Sequence, residues 1–314
     1  MTSFAIHKPA EFQLRAASDF YAGFTPGSGM AAAATDDHLT LVFRLDGSFA
    51  PVVVALREEG RRLRLDVAGT NDLDAVARQV RRMLGLDANA EAWLSLGDSD
   101  LVLGELQRSF PGFLSAAKAS PYDAATWAVI APRLSPDYAA RIKLALAREH
   151  GSVVELHGRA HHVFPSPEVL AKLERFPGLP EEKVTRLRGI GQAALEGRLD
   201  AEQLRAWGEA RSLRELQTLR GIGPWAASHI YFRGAAPQDG LPMTEPRLLH
   251  GLASAYRLRS PSSETFQRVA HGWRPFRMWA CVLLMRHLAR AGGWHAPGLA
   301  LERAAAGRAF AHSA

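Results

Sequence analysis

The feature that most limits how this chain can fold is a pentapeptide, Leu219-Arg220-Gly221-Ile222-Gly223, held between two helix signals. Upstream, Ser212-Leu213-Arg214-Glu215 has the spacing of a capping box and predicts a short helix ending near Leu219. Downstream, Pro224 suits the first position of a second helix, expected over Pro224–Arg233. The two glycines permit a tight turn and let a ligand approach the backbone without a Cβ in the way. Ile222 is placed to plug back between the helices. Free amide N–H groups and the positive end of the second helix then point at one spot, which suits a phosphate held without reading sequence. An ordinary corner between two helices fits the same pattern. The same five residues recur at Leu187–Gly191 but run directly into Gln192-Ala193-Ala194-Leu195-Glu196. With no break beyond the glycines, that copy is expected to be helical and only the second a true turn.

Around the hairpin the chain divides into two expected domains, 1–110 and 111–314, with the hairpin at about 212–233. In the first, Leu39–Asp46, Phe49–Glu58 and Arg61–Ala68 read as consecutive strands separated by Asp46-Gly47-Ser48 and Glu59-Gly60. A helix capped by Asn71 follows over roughly Leu73–Leu84, with Leu73, Val76, Val80, Met83 and Leu84 on one side. In the second, Ser120-Pro121, Ser135-Pro136, Ser166-Pro167 and Ser260-Pro261 each offer a serine cap with proline at the first helical position. No β-rich segment is expected to interrupt it. The fold class is therefore an α+β N-terminal domain followed by an all-α domain in two lobes.

Composition narrows the function classes. The 314 residues carry a formal charge of +6, with an isoelectric point near 9.8, in the range of nucleic-acid binders. Lysine stops at Lys183, and after Gly223 eleven arginines face four acids, Asp239, Glu245, Glu264 and Glu302. A basic second half suits a polyanion. The lone cysteine, Cys281, excludes an internal disulfide and a four-cysteine iron–sulfur cluster. No long apolar run suggests a membrane span or a secretory signal, so a cytoplasmic protein is expected. His157, His161 and His162 lack a second ligand cluster at metal-binding spacing and read as solvated or capping residues.

Taken in order, Leu219–Gly223 with Pro224-Trp225-Ala226, then Asp239 and Glu245, then Trp273-Arg274-Pro275-Phe276-Arg277, resemble the helix-hairpin-helix-GPD superfamily of DNA glycosylases, in its 3-methyladenine DNA glycosylase II (AlkA) branch. Phe164-Pro165-Ser166-Pro167-Glu168 matches a further segment, and the similarity runs from about Phe110 to Trp294. That branch also carries an α+β domain in front. The resemblance implies a monofunctional enzyme that kinks duplex DNA, flips an alkylated purine into a pocket between lobes and breaks its bond to deoxyribose with help from a carboxylate. It implies no required cofactor, although a sodium or potassium ion is typically held by hairpin carbonyls, here those of Gln217, Leu219 and Ile222. Gly221, Ile222 and Gly223 would meet the DNA backbone. A monomer acting on damaged double-stranded DNA is the expected assembly.

The carboxylate departs from the pattern, because the family's catalytic aspartate falls on Glu245. The distribution of acids points the same way. Glu264 and Glu302 sit in distal helices, Asp239 lies in a glycine-rich loop, and Glu245 precedes a proline able to start a helix. A helix-start acid stabilised by the dipole would occupy the same place. Some bifunctional relatives carry a Schiff-base lysine two residues after the last hairpin glycine, where this chain has Trp225. Arg133, in Pro132-Arg133-Leu134-Ser135, stands where the family inserts a side chain into the duplex, or is a surface arginine at a helix end. Trp225 and His229 lie one turn apart and either line the base pocket, whose aromatic faces would suit a cationic base, or belong to the core. A non-catalytic protein binding damaged or distorted DNA, and a glycosylase for deaminated or oxidised bases, are the alternatives.

Overall fold

The computed structural model describes residues 1–23, 31–35 and 38–292. A five-stranded antiparallel sheet is built from β1 (Thr2–His7), β2 (Ala31–Thr35), β3 (His38–Arg44), β4 (Pro51–Glu59) and β5 (Arg62–Ala68), in the spatial order β1-β5-β4-β3-β2. The three central strands are those legible in the sequence; the two edge strands are additional. Alternation divides the side chains between faces. Leu39, Leu41, Val52, Val54, Leu65 and Val67 join the main core, where α1 (Leu14–Gly23) packs against the sheet.

Helix α2 (Leu73–Leu84) follows, and Asp72 rather than Asn71 caps it, its Oδ1 accepting the Ala75 amide at 3.0 Å. The cap falls one residue later than expected because the Asp72 carboxylate is the group three residues before an unsatisfied N–H. Two further helices, α3 (Ala90–Ser99) and α4 (Leu101–Ser109), complete the N-terminal part.

Helices then dominate: α5 (Pro121–Ile130), α6 (Pro136–His150), α7 (Pro167–Leu170), α8 (Glu181–Leu195), α9 (Ala201–Gln217), α10 (Pro224–His229), a π-helical turn at Ile230–Ala235, α11 (Arg247–Tyr256), α12 (Ser263–His271) and α13 (Arg277–Arg290). The expectation of an uninterrupted all-α half is corrected by a β-hairpin, β6 (Ser152–Leu156) with β7 (Arg159–Val163). Its Val154, Leu156 and Val163 cover Val42, Val53, Ala55 and Ala68 on the second face of the N-terminal sheet. A sheet apolar on both faces must be covered on both, and this short insertion does so. His157, His161 and His162 belong to this hairpin, and among the described residues no group of histidine, cysteine or acid could hold a metal ion.

Serine caps hold at two of the four sites. Ser120 and Ser135 accept the amides of Asp123 and Tyr138 at 3.0 and 3.3 Å. Ser166 makes no cap bond to the four-residue α7. Ser260 adopts a positive φ, and α12 opens three residues later under Ser262. The predicted capping box fails as well. The break lies at Gly208 (φ 72°, ψ 173°), inside α9, and the buried Ser212 hydroxyl donates back to the Leu204 carbonyl at 2.6 Å. Glycine alone takes that backbone conformation readily, so the helix restarts before the serine.

The first Leu-Arg-Gly-Ile-Gly copy lies wholly within α8. A Cβ on Gly191 would meet the Ala171 nitrogen and the Pro167 oxygen at 2.7 Å, so this glycine lets α7 and α8 approach closely. Among the described residues, no helix is long and apolar enough to cross a membrane.

Candidate active site and nucleic-acid interface

The second copy forms the turn between α9 and α10. Gly221 has φ +83°, a backbone that favours glycine, and Ile222 is 4% exposed and packs into the core as a plug. Gly223 is exposed and extended, and a Cβ placed on it would meet nothing within 4 Å. The fold therefore does not require glycine at 223; what the missing side chain leaves is open space over the amide ends of α10. The Leu219 carbonyl accepts the Ile222 amide at 3.0 Å, whereas those of Gln217 and Ile222 accept no hydrogen bond among the described residues. Carbonyl oxygens with spare lone pairs are the donor chemistry of a hard monovalent cation.

Helix α8 joins this turn to a second exposed feature. The Lys183 ammonium donates to the Ile130 and Pro132 carbonyls at 2.6 and 2.7 Å, fastening the turn after α5. At the tip of that turn Arg133 is exposed with φ +63°. One helical turn along α8, the Arg186 side chain lies under Gly221. Arg133 and the hairpin are thus supported by one helix.

Behind the hairpin, three expected site residues come together. The indole N–H of Trp225 donates to Glu245 Oε2 at 3.0 Å, and the Trp225 and His229 rings stack with centroids 5.2 Å apart and planes at 18°. The Nε2 atom of His229 is buried without a hydrogen-bond partner among the described residues. Glu245 stands immediately before α11 and is itself held by Arg247. The guanidinium donates from Nε to Oε1 at 2.6 Å and from Nη2 to Oε2 at 2.7 Å, and the Arg247 amide reaches Oε1 at 3.2 Å. Both side chains are largely buried, 14% and 12% exposed.

Burial opposes the Glu245 charge, but the Arg247 hydrogen bonds and charge, with the Trp225 N–H, outweigh it and hold the carboxyl below the usual range. Burial, then the positive charges of Lys118, Arg233 and Arg247, keeps the His229 ring well below its ordinary value and so neutral. The Arg247 clamp was not foreseen from sequence. An arginine two residues after the candidate acid, at the start of a helix, is the signal that could have found it.

The other acids are placed elsewhere. Asp239 forms a two-pronged pair with Arg277, at 2.7 and 2.8 Å, and accepts that residue's amide at the start of α13. Glu264 is exposed on the first turn of α12. Glu302 and Trp294 lie outside the described residues.

Beside the His229 ring, Lys118 is 1% exposed, 3.4 Å from Asp123 and 4.9 Å from the centre of the Trp127 ring. Lys143 pairs with the other Asp123 oxygen. Burial, offset in part by Asp123, brings the Lys118 ammonium down to about 7. The π-helical turn after α10 packs on this region. A Cβ on Gly234 would meet Pro121 Cα at 2.6 Å, and the Arg233 carbonyl accepts the Lys118 amide at 2.8 Å. Such turns interrupt helices frequently at functional sites.

No family model matches the chain. It is similar to the DNA-3-methyladenine glycosylase of Bacillus subtilis, 22% identical over 221 residues, covering 68% of this chain and 73% of that protein. A Mycobacterium tuberculosis protein, the probable bifunctional transcriptional activator/DNA repair enzyme AlkA, is 28% identical over 214 residues. That match spans 67% of this chain but 42% of the relative. Among solved structures, a 3-methyladenine DNA-glycosylase from Archaeoglobus fulgidus superposes with a TM-score of 0.76 at 21% identity, over 90% of this chain and 96% of its own. The chain shares the fold of that glycosylase. In sequence it is similar to proteins named DNA-3-methyladenine glycosylase and AlkA.

Proposed function

We propose that this protein is a monofunctional DNA glycosylase that excises alkylated purines, the class to which 3-methyladenine belongs, from duplex DNA as the first step of base-excision repair. The observation that carries the reading is the convergence of Glu245, Trp225 and His229 behind a hairpin whose Gly223 leaves its amide face open. Relatives named as DNA-3-methyladenine glycosylases support it.

In this reading the hairpin amides of Gly221, Ile222 and Gly223 bind a backbone phosphate, and Arg133 enters the duplex from the other end of α8. The lesion flips into the cleft between the helical lobes and rests against the Trp225–His229 stack. As the base leaves, positive charge grows on the sugar, and the Glu245 carboxylate stabilises it and positions water. The protein works as a monomer and needs no cofactor. The carbonyls of Gln217, Leu219 and Ile222 would hold a sodium or potassium ion, which supplies positive charge towards a phosphate when bound.

The test is incubation with duplex DNA carrying methylated bases, followed by detection of free bases. Release of free methylated base supports the reading; binding without release of any base leaves a non-catalytic binder of distorted DNA.

A further inference from the structure

The turn between α5 and α6 is built on a flipped peptide. The Leu134 amide donates to the Ala131 carbonyl at 3.0 Å, which makes Pro132 and Arg133 its two corner residues. Proline at the first corner with a positive φ at the second, +63° for Arg133, is the type II pattern. In the commoner type I turn the second corner has a negative φ, and the two forms differ by turning the Pro132–Arg133 peptide over. Type II normally places glycine or asparagine where this chain has arginine. A longer side chain held in that conformation costs about 1–3 kcal/mol and persists only where its surroundings fix it.

Lys183, near the start of α8, supplies the fixing contact. Its ammonium donates to the Pro132 carbonyl, the oxygen of that flipped peptide, at 2.7 Å, and to the Ile130 carbonyl that ends α5 at 2.6 Å. Turning the peptide over would swing the Pro132 oxygen away from the ammonium. Among the described residues Lys183 makes these two bonds and no ion pair. Burial, followed by the charges of Arg133 and Arg186, holds its pKa below the ordinary lysine value. A cation kept partly out of water for two carbonyls is a cost that a plain connection between two helices does not need. Three residues further along α8, the Arg186 side chain lies 2.6 Å from the position a Cβ on Gly221 would take. Residues three apart share a helix face, so one turn of α8 sets Arg133 against the hairpin.

Building on the glycosylase reading, with Arg133 as the side chain that enters the duplex, we propose that Lys183 is the positioning residue for that entry. Its ammonium locks the Pro132–Arg133 peptide in the flipped form, so that Arg133 leaves the backbone in one fixed direction, in register with the hairpin on the same helix. Lys183 acts through Arg133 rather than on DNA. That dependence separates the role from one of merely capping α5 to hold the fold together.

A double-mutant cycle reads the dependence directly. The probe is duplex DNA carrying a tetrahydrofuran abasic-site analogue, which leaves the gap that an inserted side chain fills. Affinity is expressed as the ratio to that for the same duplex undamaged. Lys183→Met keeps the aliphatic stem and removes the ammonium. It should lower the ratio about tenfold, the scale of one charge-assisted hydrogen bond, while affinity for the undamaged duplex stays within about twofold. Lys183→Arg should restore most of the parent ratio, because a guanidinium has donors for both carbonyls. Arg133→Ala should lose about as much as Lys183→Met, and adding Lys183→Met to it should change the ratio by less than about twofold. A full further loss in the Arg133→Ala background would mark a general structural role and overturn the proposal. So would a parent-like ratio for folded Lys183→Met, or for Arg133→Ala whatever Lys183→Met does. If Lys183→Met does not fold, Lys183→Gln, which keeps one neutral donor group, takes its place in the cycle. Excision of methylated bases by the parent is scored separately. Excision without the coupling leaves the glycosylase reading standing and this inference refuted, whereas the coupling without any excision refutes the glycosylase reading alone.

Discussion

Trp225 and Glu245, twenty residues apart, are joined by a 3.0 Å hydrogen bond from indole to carboxylate. The bond ties the helix that follows the hairpin to the residue proposed to do the chemistry. The proposed phosphate site at the hairpin and the carboxylate are therefore linked through one short helix.

The hairpin can be tested without disturbing the fold. Gly223→Val introduces a side chain into open space, so stability should change by no more than about 0.5 kcal/mol, as at ordinary surface sites. Affinity for duplex DNA should nevertheless fall steeply. Gly221→Val should lose affinity too, and in addition cost about 1–3 kcal/mol because φ is +83° there. Binding by the parent should be nearly independent of sequence and weaken strongly with salt. Thermal unfolding together with fluorescence anisotropy at several salt concentrations measures both effects; parent-like binding by both variants would refute the hairpin assignment.

The acid limb of the excision profile should lie below the ordinary glutamate range. Glu245 has a folded-state pKa depressed by Arg247 against the pull of burial. The stability contributed by that ion pair is present above the unfolded value of about 4.3 and is lost as pH falls through the lower folded value. Arg247→Leu leaves burial opposed only by the Trp225 N–H and the backbone amide of residue 247, so the limb should move upwards. Single-turnover rates against pH for the two proteins provide the comparison, and coincident acid limbs would remove Arg247 from control of Glu245.

Products should be abasic sites in unbroken strands, cleaved only on alkali or heat. No lysine follows Lys183 in the sequence. Lys118, although lowered to about 7, is 1% exposed and closed in by Asp123 and Trp127, which denies it a sugar carbon. Borohydride treatment during turnover should trap no protein–DNA adduct. A covalent adduct mapped to one lysine would contradict this.

What the sequence disclosed depended on how local each signal was. The hairpin turn and the helical first repeat are written in glycine placement within a few residues, and both appear in the structure. The three central strands were visible because each is a run of apolar residues between turn signals. The β6–β7 hairpin was not, since Arg159, His161 and His162 dilute its apolar pattern and its reason for existing is a sheet face far away in sequence. The capping box misled because Ser212 has a partner, the Leu204 carbonyl, that appears only once Gly208 bends the helix. At the site, Trp225, His229 and Glu245 were identifiable as candidates. Their bond, their stack and the Arg247 clamp are tertiary facts that spacing cannot express.

The central claim is that Glu245 carries the chemistry, and single-turnover excision by Glu245→Gln tests it most directly. The substitution keeps the size and removes the charge, so excision should fall by about a hundredfold or more, as when one preorganised electrostatic group is lost. DNA affinity should hold or rise, because an anion has been removed from a basic site. Glu245→Asp should also be slower than the parent, since a carboxylate one methylene shorter cannot keep both the Trp225 bond and the Arg247 clamp from the same backbone. A Glu245→Gln protein that excises at the parent rate would contradict the account and turn attention to Asp239.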